Sequence, residues 1–151
     1  MKTLNIGSYS HGTLRDEDLA DTLRDMLRSM EHDDSALLSD LDAIVEDSHM
    51  DYASEVIDDA IDALQEYAPP FCYVGFHEGD GSDLGVWLDH DAFESACRDG
   101  EILKVADSSE IDAMNREEVA SHEYIAIVSD HGNVSLYTVK VTLGEEVLSV
   151  V

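Results

Sequence analysis

Positive charge is what this sequence most lacks. Eight Lys and Arg stand against 35 Asp and Glu in 151 residues, a formal net charge of −27. A basic surface is what neutralises a phosphate backbone or an anionic lipid head group, so direct nucleic-acid binding and membrane-surface binding are both excluded as expectations. Cysteine is also scarce. Cys72 and Cys97 form no C-x-x-C pair, which argues against a disulfide framework and a thiolate zinc site and leaves buried free thiols. No apolar run approaches the ~18 residues of a membrane span. The opening Met1-Lys2-Thr3-Leu4-Asn5-Ile6 carries no signal-peptide apolar core, so a cytoplasmic location is expected. The two prolines are adjacent, Pro69 and Pro70, and mark one boundary that no helix should cross.

What is present is enough to fold. Hydrophobic residues make up 44% of the chain, an ordinary globular share that a disordered acidic segment would not reach. The length suits a single domain, 1–151. Residues 12–68 place apolar side chains at helical spacing and predict three helices. The first follows Thr13, whose spacing to Asp16 resembles a capping box, and carries Leu19, Leu23, Met26, Leu27 and Met30. The second carries Leu37, Leu38, Leu41, Ile44 and Val45, and the third Tyr52, Val56, Ala60, Ile61 and Leu64.

Beyond the prolines the period becomes two. Residues 71–77 and 84–88 flank the glycine-rich 78–83 as a hairpin, and a fourth helix is expected at about 90–99. A strand at 102–105, a second hairpin from 122–128 and 134–141, and a last strand at 147–151 complete the chain. Helices first and strands after predict an α+β fold, with the N-terminal helices packed on a mostly antiparallel sheet built from two hairpins.

The acidity has a pattern. On the third helix Asp51, Glu55, Asp58, Asp59, Asp62 and Glu66 fall on neighbouring turns of one face, and no Lys or Arg occurs from 29 to 97. Like charges four apart destabilise a helix by about 0.2–0.5 kcal/mol each. A rod of carboxylates imitates the phosphates that a nucleic-acid-binding protein neutralises with Lys and Arg. The expected function is therefore binding: a DNA-mimic inhibitor whose partner is a basic nucleic-acid-binding protein, with those six residues as the contact face. A surface adapted to high salt is the alternative, consistent with only three lysines, Lys2, Lys104 and Lys140.

A second alternative is chemical. His77, Asp80, Asp83, Asp89 and His90 form the densest group of potential ligands and would make a metal-binding module or a small metal-dependent enzyme. Against an EF-hand loop, Glu78, Asp80, Ser82 and Asp89 take the first, third, fifth and twelfth positions, but Asp83 stands where glycine is needed. Turn chemistry explains the same composition, so no metal, cofactor or catalytic residue is assigned. The seven histidines include no H-E-x-x-H, and the glycines at 75, 79, 81 and 85 precede no helix as a phosphate loop would. Trp87 and Tyr73 are expected in the core; a homodimer formed through their hairpin stays open.

Residues 67–87, YAPPFCYVGFHEGDGSDLGVW, with SDHGNVSLY at 129–137 and Gly12-Thr13-Leu14 near the start, resemble small uncharacterised acidic proteins of bacteriophages and mobile elements. The resemblance covers most of the chain and implies a setting, not an activity. In that setting small acidic proteins block host restriction or CRISPR complexes, which makes a nucleic-acid-binding defence system the expected target.

Overall fold

The computed structural model describes residues 2–47, 49, 51–142 and 145–150. The fold is α+β. Where one domain was expected from length, the chain divides into two compact units, Met1–Asp89 and His90–Val151.

The first unit runs β1 (Gly7–Ser10), α1 (Asp16–Ser29), α2 (Ser35–Glu46), α3 (Ala53–Gln65), β2 (Cys72–His77) and β3 (Asp80–Leu88). The apolar stripes read from the sequence drive its assembly. Leu19, Leu23, Met26 and Leu27 of α1, Leu37, Leu41 and Ile44 of α2, and Ala53, Val56, Ile57, Ala60 and Leu64 of α3 form one core with Cys72, Val74, Leu84 and Val86. Two details of the helices differ from expectation. Thr13 does not cap α1: Arg15 is the cap residue, and the Thr13 hydroxyl donates to the Asp18 carboxylate at 2.8 Å. Tyr52 is 44% exposed, because α3 starts one residue later and turns Ile57 inward in its place. α1 stops without a glycine: Glu31 adopts a left-handed φ of 57°, and the next amide, His32, donates back to the Leu27 carbonyl at 3.0 Å, the bonding of a Schellman cap.

The sheet of this unit is antiparallel, in the order β1-β3-β2. Its hairpin is tighter than expected, since His77 pairs with Asp80 and only Glu78 and Gly79 lie between the strands. Residue 85 can only be glycine, since a Cβ there would fall 2.2 Å from the Gly7 carbonyl oxygen. The outer edge of β2 is closed from within: the Gln65 side chain, at the end of α3, donates to the Cys72 carbonyl and accepts from the Val74 amide, both at 3.0 Å. One carboxamide thus occupies the place a neighbouring strand would take.

The second unit runs α4 (His90–Arg98), β4 (Ile102–Val105), α5 (Ser108–Asp112), α6 (Arg116–Ala120), β5 (Tyr124–Val128), β6 (Val134–Thr142) and β7 (Glu145–Val150). Its sheet order is β4-β5-β6-β7. Val105, Val119 and Ile125 form its buried centre, with Leu103, Ile111, Met114, Ile127 and Val139 packed round them. The two expected hairpins therefore exist but belong to different sheets, which corrects the single sheet read from the sequence. The second sheet is also mixed. β4 and β5 pair in parallel, because α5 and α6 carry the chain back across; the Asp107 and Asn115 side chains open those short helices by accepting from the Ser109 and Glu117 amides. The expected last strand is present as β7, with Val151 outside the described residues.

Candidate functional site

The candidate face is the outside of α3. At 100° per residue, the five helical positions Glu55, Asp58, Asp59, Asp62 and Glu66 fall within an arc of about 100°. The buried Val56, Ile57, Ala60 and Leu64 lie on the opposite side. All six acidic residues are exposed. Glu55, Asp58, Asp59 and Asp62 stand on the helix itself, Glu66 is its C-cap in helical geometry, and Asp51 sits in the turn before it. From Glu55 to Glu66 the carboxylates are spaced at about one per 4 Å of helix axis, close to the ~3.4 Å per phosphate along one strand of B-DNA.

The cations of the first unit are engaged elsewhere: Lys2 pairs with Glu31 at 3.3 Å, Arg15 with Glu17, and Arg24 with Asp21 and with Asp42 at 3.0 Å. Arg28 reaches the same Asp42 at 3.4 Å. Among the described residues no ion pair involves any of the six. α3 also has no basic residue in its last turn, so Asp62 and Glu66 face the negative end of the helix dipole, an unfavourable placement of about 0.3–1 kcal/mol each. The helix holds because its other face is packed.

The ligand-rich segment after residue 77 is built as a turn. The Asp80 carboxylate accepts from the Ser82 amide at 3.0 Å and the Ser82 hydroxyl at 2.7 Å, and meets His11 Nε2 at 3.0 Å. These bonds, the Ser82 amide first, hold its pKa below the ordinary aspartate value. Asp83 instead accepts from the Ser8 hydroxyl. His77 Nδ1 accepts from the Gly79 amide at 2.9 Å, and Asp89 and His90 lie in different units. Among the described residues no three His, Cys, Asp or Glu side chains converge as a metal ion requires. His77, Asp80 and Asp83 thus turn to separate partners.

The thiols are free. Cys72 is buried and Cys97 half-buried; burial, and then the charge of Asp89, pushes the Cys72 pKa up to about 11, which keeps it an unreactive thiol at neutral pH. Among the described residues no helix is long and apolar enough to cross a membrane.

Tyr73 and Trp87 are not core residues. Both are half-buried on the sheet face turned away from the helices, where they pair across the strands. Trp87 Nε1 donates to the Gly75 carbonyl at 3.0 Å, and the His77 ring stands edge-on to the indole at a centroid distance of 4.7 Å. The alternation Tyr73-Gly75-His77 on β2 and Gly85-Trp87 on β3 was the available signal for that face. No family model, curated protein or solved structure matches the chain.

Proposed function

We propose that the protein is an acidic binding protein that imitates nucleic acid, inhibiting a basic nucleic-acid-binding protein through the outer face of α3. The observation that carries this reading is the unpaired row of carboxylates from Asp51 to Glu66, maintained against like-charge repulsion and against the helix dipole. A local cost that the surrounding packing compensates is characteristic of functional sites, which supports a binding role for this face. The linear charge density, close to that of one DNA strand, favours a groove that neutralises a single phosphate backbone. A restriction or CRISPR-type defence complex, the setting suggested by the phage-like segments, is the proposed target class.

The test is capture of the partner from a lysate of the natural host at low salt, with DNA as competitor. The expected outcome is one nucleic-acid-binding complex, displaced by DNA and released as salt screens the interaction. The triple variant Asp58→Lys, Asp59→Lys, Asp62→Lys should fold and lose at least about a hundredfold in affinity. Undiminished capture by that variant would remove α3 as the contact face. A chain that unfolds below molar salt would instead favour salt adaptation, the reading to which the three lysines also point.

A further inference from the structure

The face of the β1-β3-β2 sheet opposite the helices carries a second, chemically different arrangement. Gly75 and Gly85 are direct cross-strand partners, which leaves a floor without side chains. The Trp87 indole lies down across it: a Cβ on Gly85 would be 2.8 Å from Trp87 Cζ2, and Nε1 is tied to the Gly75 carbonyl. The Tyr73 ring flanks the same floor, 3.6 Å from where a Gly75 Cβ would stand. The His77 ring stands against the indole at a centroid distance of 4.7 Å, and carboxylates lie on the same strands and at their ends. Asp83 precedes Gly85 by two residues on the same face of β3, held there by Ser8. Glu78 and Asp89 act on the Tyr73 phenol, whose pKa is raised by burial and then by their charges. Lys2, Arg15, Arg24 and Arg28 are all paired with other carboxylates.

We infer that this face is a subsite for the guanidinium group of an arginine on a protein partner, stacked on Trp87 and Tyr73 and forked to Asp83. Indole is the strongest aromatic partner for a cation, and the planar guanidinium both stacks on a ring and bonds a carboxylate, which an ammonium does less well. The charge complementarity is one-sided, since β1, β2 and β3 together carry carboxylates but no Lys or Arg, with the His77 imidazole standing beside the indole. The subsite does not depend on the α3 reading, because α3 packs on the other face of the same sheet.

Trp87 is the one tryptophan of the chain, so its fluorescence reports this face alone. The peptide acetyl-Gly-Arg-Gly-amide, titrated into the full chain, should give a saturable change in emission. The citrulline peptide, equal in shape but uncharged, should bind about tenfold more weakly. Asp83→Asn should weaken the arginine peptide several-fold, while the α3 triple reversal should leave it within about twofold once salt screens the change in net charge. Equal responses to arginine and citrulline peptides, or no saturable response from the wild-type chain, would overturn the subsite whatever becomes of α3.

Discussion

Helices α1 and α3 lie in the same unit, bury comparable apolar stripes in the same core and are both heavily acidic, yet they handle their charge in opposite ways. α1 gathers Asp16, Glu17 and Asp18 in its first turn, where the helix dipole welcomes them, and ends with Arg28 in its last. Arg24, whose side chain is only 17% exposed, lies between Asp21 and Asp25 of α1 and Asp42 of α2. α3 places Asp62 and Glu66 at its C-terminal end with no cation at hand. Acidity on α1 and α2 is thus part of how the helices join, whereas on α3 it opposes the helix that bears it. Composition treats the two as one acidic surface; the placement of two arginines separates them.

The largest effect that would test this contrast comes from Arg24. Arg24→Met keeps the apolar stem and removes the charge, leaving Asp21, Asp25 and Asp42 facing one another. Breaking a fully buried pair costs about 3–5 kcal/mol; with carboxylates this exposed we expect a loss of about 2 kcal/mol, read as a lower urea midpoint with an unchanged slope. A neutral result would mean that α1 and α2 are held by their apolar faces alone, as α3 is.

The opposite sign is expected on α3. Asp62→Lys removes repulsion from Asp58, Asp59 and Glu66 and places a cation at the end of the helix that favours one, which should raise stability by about 1 kcal/mol. The gain should shrink as salt is added, and the urea midpoint measured at two ionic strengths checks both statements. Destabilisation by this substitution would show that the acidic face serves the fold, and the argument for a binding role would lose its footing.

This contrast was only half legible in the sequence. The acidic arc of α3 follows from residue spacing and one helical period, as does its apolar face at Val56, Ala60 and Leu64, and the prolines at 69 and 70 mark where it must end. Arg24 carries no such signal: its contact with Asp42 exists only once α1 and α2 pack, eighteen positions apart. The sheets divide along the same line. Each hairpin was readable from local pattern, but their assignment to two sheets and the parallel pairing of β4 with β5 depend on non-local contacts and on α5 and α6, too short to show a period. Tyr73 and Trp87 read as core because large aromatics usually supply buried area, and the period-two signal that sets them on the outer face with Gly75, His77 and Gly85 is carried by glycines more than by polar side chains.

A third kind of carboxylate sharpens the comparison further. Asp80 is held by neutral donors first, the Ser82 amide and then its hydroxyl, with His11 the lesser partner. Its folded pKa is depressed, so whatever it contributes is present above the ordinary value of 3.8 and is lost as the pH falls through the lower folded value. Being exposed, the pair with His11 should add little to stability, and the informative quantity is the titration itself, followed at the carboxyl carbon by NMR. His11→Gln should move the midpoint up slightly and Ser82→Ala, which keeps the amide and removes the hydroxyl, should move it further. A larger rise from His11→Gln would make Asp80 a carboxylate held by a cation, as Asp42 is by Arg24, and would link residues 8–12 to the β2–β3 turn by charge. The expected order instead leaves that turn held by its own hydroxyl and amide, with its shape independent of ionic strength while α3 responds to it.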